Sequence, residues 1–150
     1  MKRDLPKMID PSITAQQLFD YITHFLYKQG KASMGVAEDG TETCAYRGSK
    51  GLMCAVGCII PDEIYVPLME AKAVDELGKF ITAPKHKSYK KLLEKHISLL
   101  CELQTVHDDL YDYEYIGSTK RQVRQVLLKE FAFVAEDHGL EFDPKDYKAR

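Results

Sequence analysis

Tyr89, Leu93, His96, Leu100, Leu103, His107 and Leu110 recur at alternating steps of four and three. That spacing puts all seven on one side of an α-helix, and Leu92, Leu99 and Val106 widen the stripe. So long an apolar face must be covered by several other elements. The fold is therefore set by what packs on this helix, which the pattern predicts as one continuous core element from Ser88 to Tyr111.

Two further helices are available to cover it. "SITAQQLFDYITHFLYKQG" carries Leu18, Ile22, Phe25 and Leu26 on one face. Thr14 with Gln17 forms a capping box, or Ser12 caps one turn earlier, and Gly30 is a natural stop. "STKRQVRQVLLKEFAFVAEDHGL" opens on Ser118 or Thr119 and turns Val123, Val126, Leu127, Phe131 and Val134 inward. Its Gly139-Leu140 pair has the form of a Schellman stop. Between the first two helices, "TCAYR" and "LMCAVGCII" read as strands joined by the turn "GSKG", a register that faces Cys44 to Cys54. Ala71 to Phe80 suits a short helix. The expected class is α+β, helix-dominant: one domain over residues 1–150, with three main helices packed with a small antiparallel β-hairpin. The first 11 residues read as an N-terminal arm and residues 141–150 as a loose polar tail.

The charge balance narrows the partners. The net charge is −2, so no bulk positive field draws the chain to nucleic acid or to a membrane, and either would require a local patch. No apolar run approaches the ~20 residues that span a bilayer. "MKRDLPKMID" has no apolar segment of the secretory type, and four cysteines then point to a reducing cytoplasm with free thiols.

Candidate chemistry falls in three places. Cys44, Cys54 and Cys58 offer thiolates for zinc, but there is no second C-x2–4-C knuckle. Along an extended strand, Cys54 and Cys58 stand about 13 Å apart. Buried small hydrophobes are the simpler reading. His96 and His107 lie about 16 Å apart along their helix and do not share one ion. His107 leads an acidic run, in which Asp108 and Asp112 share a face able to take a divalent cation. Lastly, Lys85, Lys87, Lys90, Lys91 and Lys95, and then Lys120, Arg121 and Arg124, crowd the starts of two predicted helices. Exposed N–H groups with added positive charge suit an anion there. Tyr46, Tyr65, Tyr89, Tyr111, Tyr113 and Tyr115 are available to stack on a base. "YRGSKG" lacks the phosphate-loop spacing, and none of the common hydrolase, zinc-protease or deaminase signatures is present.

"CAYRGSKGLMCAVGCIIPDEIY", with the preceding "KQGK" and the later "LQTVHD", resembles a family of small uncharacterised proteins of tailed phages and proteobacteria. Their shared pattern runs C-x-Y-R-G, then G-x-x-C-A-x-G-x-x-I-P-D-E-x-Y, and the resemblance spans roughly residues 15 to 140. It implies a phage-like setting and supplies no catalytic residues. Small proteins of that setting often act in host takeover or anti-defence. The functional expectation is a non-enzymatic accessory protein without a cofactor. It would bind and inhibit a host protein, or sequester a small anionic nucleotide-like ligand through Tyr46, Arg47, Lys50, Tyr65, Lys91, His107, Arg121 and Arg124. Nucleic acid and membrane are not the expected partners; self-association is open. The competing expectation is a small metal- or thiol-dependent enzyme acting on a nucleotide or nucleic acid, built on Cys44, Cys54, Cys58, His107 and Asp108, with zinc as its ion.

Overall fold

The first helix begins where the sequence provides a reciprocal cap. Thr14 accepts the Gln17 N–H, and the Gln17 side chain accepts the Thr14 N–H. From there α1 (Ala15–Gln29) buries Leu18, Phe19, Ile22 and Leu26, and it ends at Gly30 in the left-handed region. The structure, a computed structural model, describes residues 10–148. Most of the expected N-terminal arm therefore lies outside the described residues. Thr119 and Gln122 repeat the same cap at the start of α4 (Lys120–His138). That helix closes on a Schellman motif, in which the Leu140 N–H reaches Ala135 O at 2.8 Å and the Gly139 N–H reaches Glu136 O at 3.3 Å.

The long periodic stretch is two helices. α2 (Lys87–Lys95) and α3 (Ile97–Tyr115) meet at His96, which leaves the helical basin at φ −107°, ψ 19°. Hydrogen bonding continues through the break, from His96 N to Leu92 O and from Leu100 N to His96 O, so the apolar phase is kept across it. Among the described residues there are thus four α-helices, with six short 3₁₀ segments, rather than three main helices. α3 packs on α4 and α1, and a 3₁₀ segment, Val74–Phe80, lies against both α2 and α3. The helix-dominant α+β class is as the sequence indicates. Among the described residues no helix is long and apolar enough to cross a membrane.

The sheet is two short antiparallel strands, but not the pair the sequence suggests. β1 (Met34–Val36) pairs with β2 (Glu42–Cys44) around the Asp39-Gly40 turn, and Cys44 faces Met34 rather than Cys54. Of the expected hairpin across "GSKG", a single bridge remains, Arg47 to Met53. Cys54 to Ile60 instead curls through successive turns, with Cys58 N on Cys54 O, Ile59 N on Val56 O and Ile60 N on Gly57 O. The physical reason is burial. All seven of these residues are enclosed, and an enclosed strand needs neighbours along both edges to satisfy its main chain. A curled segment supplies many of its own partners. It also runs so close to the preceding loop that a Cβ on Gly57 would stand 2.0 Å from Tyr46 O.

The C-terminal segment is docked by Phe142 and Tyr147, although its charges suggested a loose tail. The Tyr147 hydroxyl shares a 2.7 Å hydrogen bond with the buried Thr23 hydroxyl, and its ring stacks on His24 at 4.1 Å. Phe142 meets Phe19 and Phe131 edge-on. These aromatics seal the groove between α1 and α4.

Two outcomes follow from this packing. Gly57→Ala is expected to destabilise the fold by about 2–3 kcal/mol, read as a lower urea midpoint, because the opposing atom is main chain and cannot swing aside. The second concerns His96, whose Nε2 is buried without a partner. Burial holds its imidazole below the ordinary 6.5, helped by the Lys95 charge and partly opposed by a hydrogen bond with the Ile13 backbone. The unfolded chain then takes up the proton at higher pH than the folded one. This contribution to stability is complete above about pH 6.5 and is lost as pH falls through the folded value. The urea midpoint should therefore drop between about pH 7.5 and pH 5, and His96→Leu should make that drop smaller.

Candidate functional site

Glu70 organises the "YRG" segment. One carboxylate oxygen accepts the Tyr46 N–H at 2.9 Å; the other accepts the Arg47 N–H at 3.1 Å and the Tyr65 hydroxyl at 2.6 Å. Burial, then the hydrogen bond and charge of Glu70, push the Tyr65 phenol up to about 12, so it remains a donor. The Arg47 guanidinium lies over the Tyr65 ring at 4.2 Å. Its Nη2 reaches Ile60 O at 3.0 Å and Asp62 Oδ1 at 2.8 Å. Three loops are fastened by these two side chains, and the fastening holds open a cleft of about 630 Å³ between the sheet and the Tyr65–Lys72 segment. Val36, Ala45, Pro67 and Leu68 give it apolar walls, with Arg47 and Lys72 as its cations.

A second cleft of about 240 Å³ adjoins the first and shares Thr43, Ala71 and Lys72 with it. Ala71 has φ +62°, a left-handed conformation that costs a non-glycine residue about 1 kcal/mol or more. The strain sits in the wall common to both clefts. Behind it, the Tyr46 hydroxyl donates to Lys72 O.

Cys44, Gln104 and Asp108 line the second cleft. With His107, Cys44 and Asp108 form the one trio of metal-type side chains that converges among the described residues, each offering a ligand atom within 4.8 Å of the others. Cys54 and Cys58 are not part of it. The Cys54 sulfur accepts the Gly57 N–H, and the Cys58 thiol donates to Ala55 O, both deep in the core.

The trio is chemically quiet as arranged. His107 is fully enclosed, and its Nε2 accepts the Ser33 N–H at 2.8 Å. An acceptor at Nε2 fixes the ring proton on Nδ1, which donates to Asp108 Oδ1 at 2.9 Å. A metal at Nδ1 would force that proton onto Nε2, directly against the Ser33 N–H. The same geometry leaves no lone pair to take a proton from Cys44. Burial, reinforced by the Asp108 charge, pushes the Cys44 thiol up to about 12, so it is not a thiolate near neutrality. Asp108 Oδ1 also accepts from Gln104 at 2.9 Å.

The remaining sequence-nominated residues are dispersed. Lys50, itself at φ +58°, lines a separate cleft with Lys31, Tyr111 and Tyr115. Arg124 donates to Tyr27 O and Lys28 O, both at 2.9 Å, and so caps the end of α1. Arg121 is exposed at the start of α4, and Lys91 on the outer face of α2. Tyr46, Arg47 and Tyr65 are the nominated residues that the structure does gather. Glu70, Leu68, Ala71 and Lys72 complete their surroundings without having been singled out; an isolated Glu after "PLM" carries no spacing signal. Comparison with protein-family models, with curated proteins and with solved structures finds no match to this chain.

Thiol reactivity checks this description. With iodoacetamide at about pH 8, exposed Cys101 should label first and half-buried Cys44 much more slowly, with Cys54 and Cys58 labelling only in denaturant. Labelling of Cys44 as fast as a free thiol would mean that an activated thiolate is present after all.

Proposed function

We propose that the protein is a non-enzymatic binding protein that docks a partner protein through the larger cleft, consistent with the phage-like accessory role its central motif implies. The observation that carries this reading is the placement of two exposed aliphatic side chains. Val36, from β1, is 74% exposed, and Leu68, from the Pro67–Met69 turn, is 71% exposed; both line the same cleft. Paired exposure of this kind beside a concavity suits an apolar anchor residue from a partner. The Glu70 and Arg47 fastenings hold the walls in place before binding, which lowers the ordering cost of association. The quiet state of Cys44 and His107 favours binding over turnover.

The test compares the immobilised wild-type chain with Leu68→Asp in extract of the host cell, read by quantitative mass spectrometry. A partner retained by the wild type and lost at least about tenfold by the variant is expected, since a charge in the cleft is desolvated on docking. Circular dichroism of Leu68→Asp should be unchanged, because the side chain is exposed. Equal retention by both proteins would count against the cleft. A co-purified nucleotide-like mass, seen by native mass spectrometry and lost in Arg47→Ala, would replace the protein partner with a small anionic ligand.

A further inference from the structure

Helix α2 turns Tyr89, Leu92 and Leu93 into the core and leaves Lys87, Lys91 and Lys95 exposed on its outer side. The three repeat every fourth residue, about 6 Å apart along the axis. Lys85 is exposed in the turn before the helix; Lys79 and Lys90 lie beside it in a cleft of about 430 Å³ that Asp75 and Glu94 also line. From Lys79 to Lys95 the chain carries six lysines against one acid, Glu94, although the whole chain is net −2. The average charge thus conceals a positive face on an otherwise acidic protein.

That face is unfavourable to the free helix in two ways. Like charges four residues apart repel. Cations crowd the positive end of the helix dipole, with no acid in the first turn. Its N-terminus is closed by main chain alone, the Lys87 N–H donating to Pro84 O of the preceding 3₁₀ turn. Nor do the lysines find relief inside the protein: the ion pairs among the described residues involve Arg47, His107 and His138, and none of the six lysines. An external polyanion would relieve both penalties together.

We propose that this lysine face binds the sugar–phosphate backbone of double-stranded nucleic acid, a site separate from the docking cleft. Charge complementarity selects a polyanion, and a regular row of point charges suits repeating phosphates. The α2 tyrosine, Tyr89, is buried, with its hydroxyl on Ile59 O, so the helix offers no ring on which unpaired bases could stack. Binding of this kind is indifferent to sequence.

The experiment is fluorescence anisotropy of the full chain with a labelled DNA duplex of about 20 base pairs, titrated across salt. Binding at about 50 mM salt is expected, weakening with a log–log slope of roughly −3 to −5. Lys87→Ala/Lys91→Ala/Lys95→Ala should weaken binding at least about tenfold and flatten the slope by nearly 3. The triple variant should melt at the same or a higher temperature, because repulsion is removed and alanine favours helix, so the loss cannot be ascribed to unfolding. Absence of binding at low salt, equal binding by the triple variant, or a preference for single strands would overturn the proposal. So would equally tight binding to a polyglutamate peptide, which would assign the face to acidic proteins.

Discussion

Between Ala32 and Val56 the only sheet is the short β1–β2 pair, and the chain is enclosed at Ala32–Ser33, Ala45–Tyr46 and Cys54–Val56. Beyond the main-chain bonds of that pair and its turns, six N–H groups of this stretch are satisfied by side chains: Ala32 by Glu114, Ser33 by His107, Tyr46 and Arg47 by Glu70, Met53 by Gln29 and Val56 by Gln104. Each such group left unpaired would cost about 1–3 kcal/mol. Gln104, His107 and Glu114 share one side of α3, so this helix serves the irregular segment as a neighbouring strand would. Both clefts depend on that support. The smaller is walled by Gln104 and Asp108 of the same helix, and the larger by the loop that Glu70 pins.

The arrangement also separates what the sequence made legible from what it did not. Helix starts at Thr14 and Thr119 and stops at Gly30 and Gly139 were readable because caps are local chemistry at fixed spacing. The break at His96 was not, because an apolar phase can survive one residue leaving the helical basin. "LMCAVGCII" is an unbroken apolar run without alternation, a pattern that fits a buried strand and a buried coil equally. In the tail, Phe142 and Tyr147 are two aromatics among charges, so composition hid their anchoring role. The run "LQTVHDD" announced polar groups on one helix face. It could not announce that their partners are main-chain amides, since these carry no residue identity.

The basic residues divide along similar lines. Arg47 and Arg124 are struts: Arg47 Nη2 meets a carbonyl and a carboxylate while its Nε is buried without a partner, Arg124 Nε and Nη2 meet two carbonyls, and their faces lie on Tyr65 and Tyr27. The lysines around α2 are left outside, unengaged. That division follows from the chemistry of the two cations: a rigid fork with several donors fits fixed acceptors, whereas a strongly hydrated point charge is better kept in water. The clustered cations that looked alike in the sequence therefore have different roles in the fold.

The supporting side chains grip amide groups, which every residue except proline possesses. The identity of the loop's outward side chains is thus nearly irrelevant to how firmly the loop is held. Val36 and Glu38 could be exchanged for many other residues while His107, Glu114 and Glu70 kept their hydrogen bonds. A surface mounted in this way can change its outward side chains, such as Val36 and Glu38, without loss of foldability, so variation among related chains is expected there rather than at Arg47 and Tyr65, which fasten the cleft, or on the helix behind it.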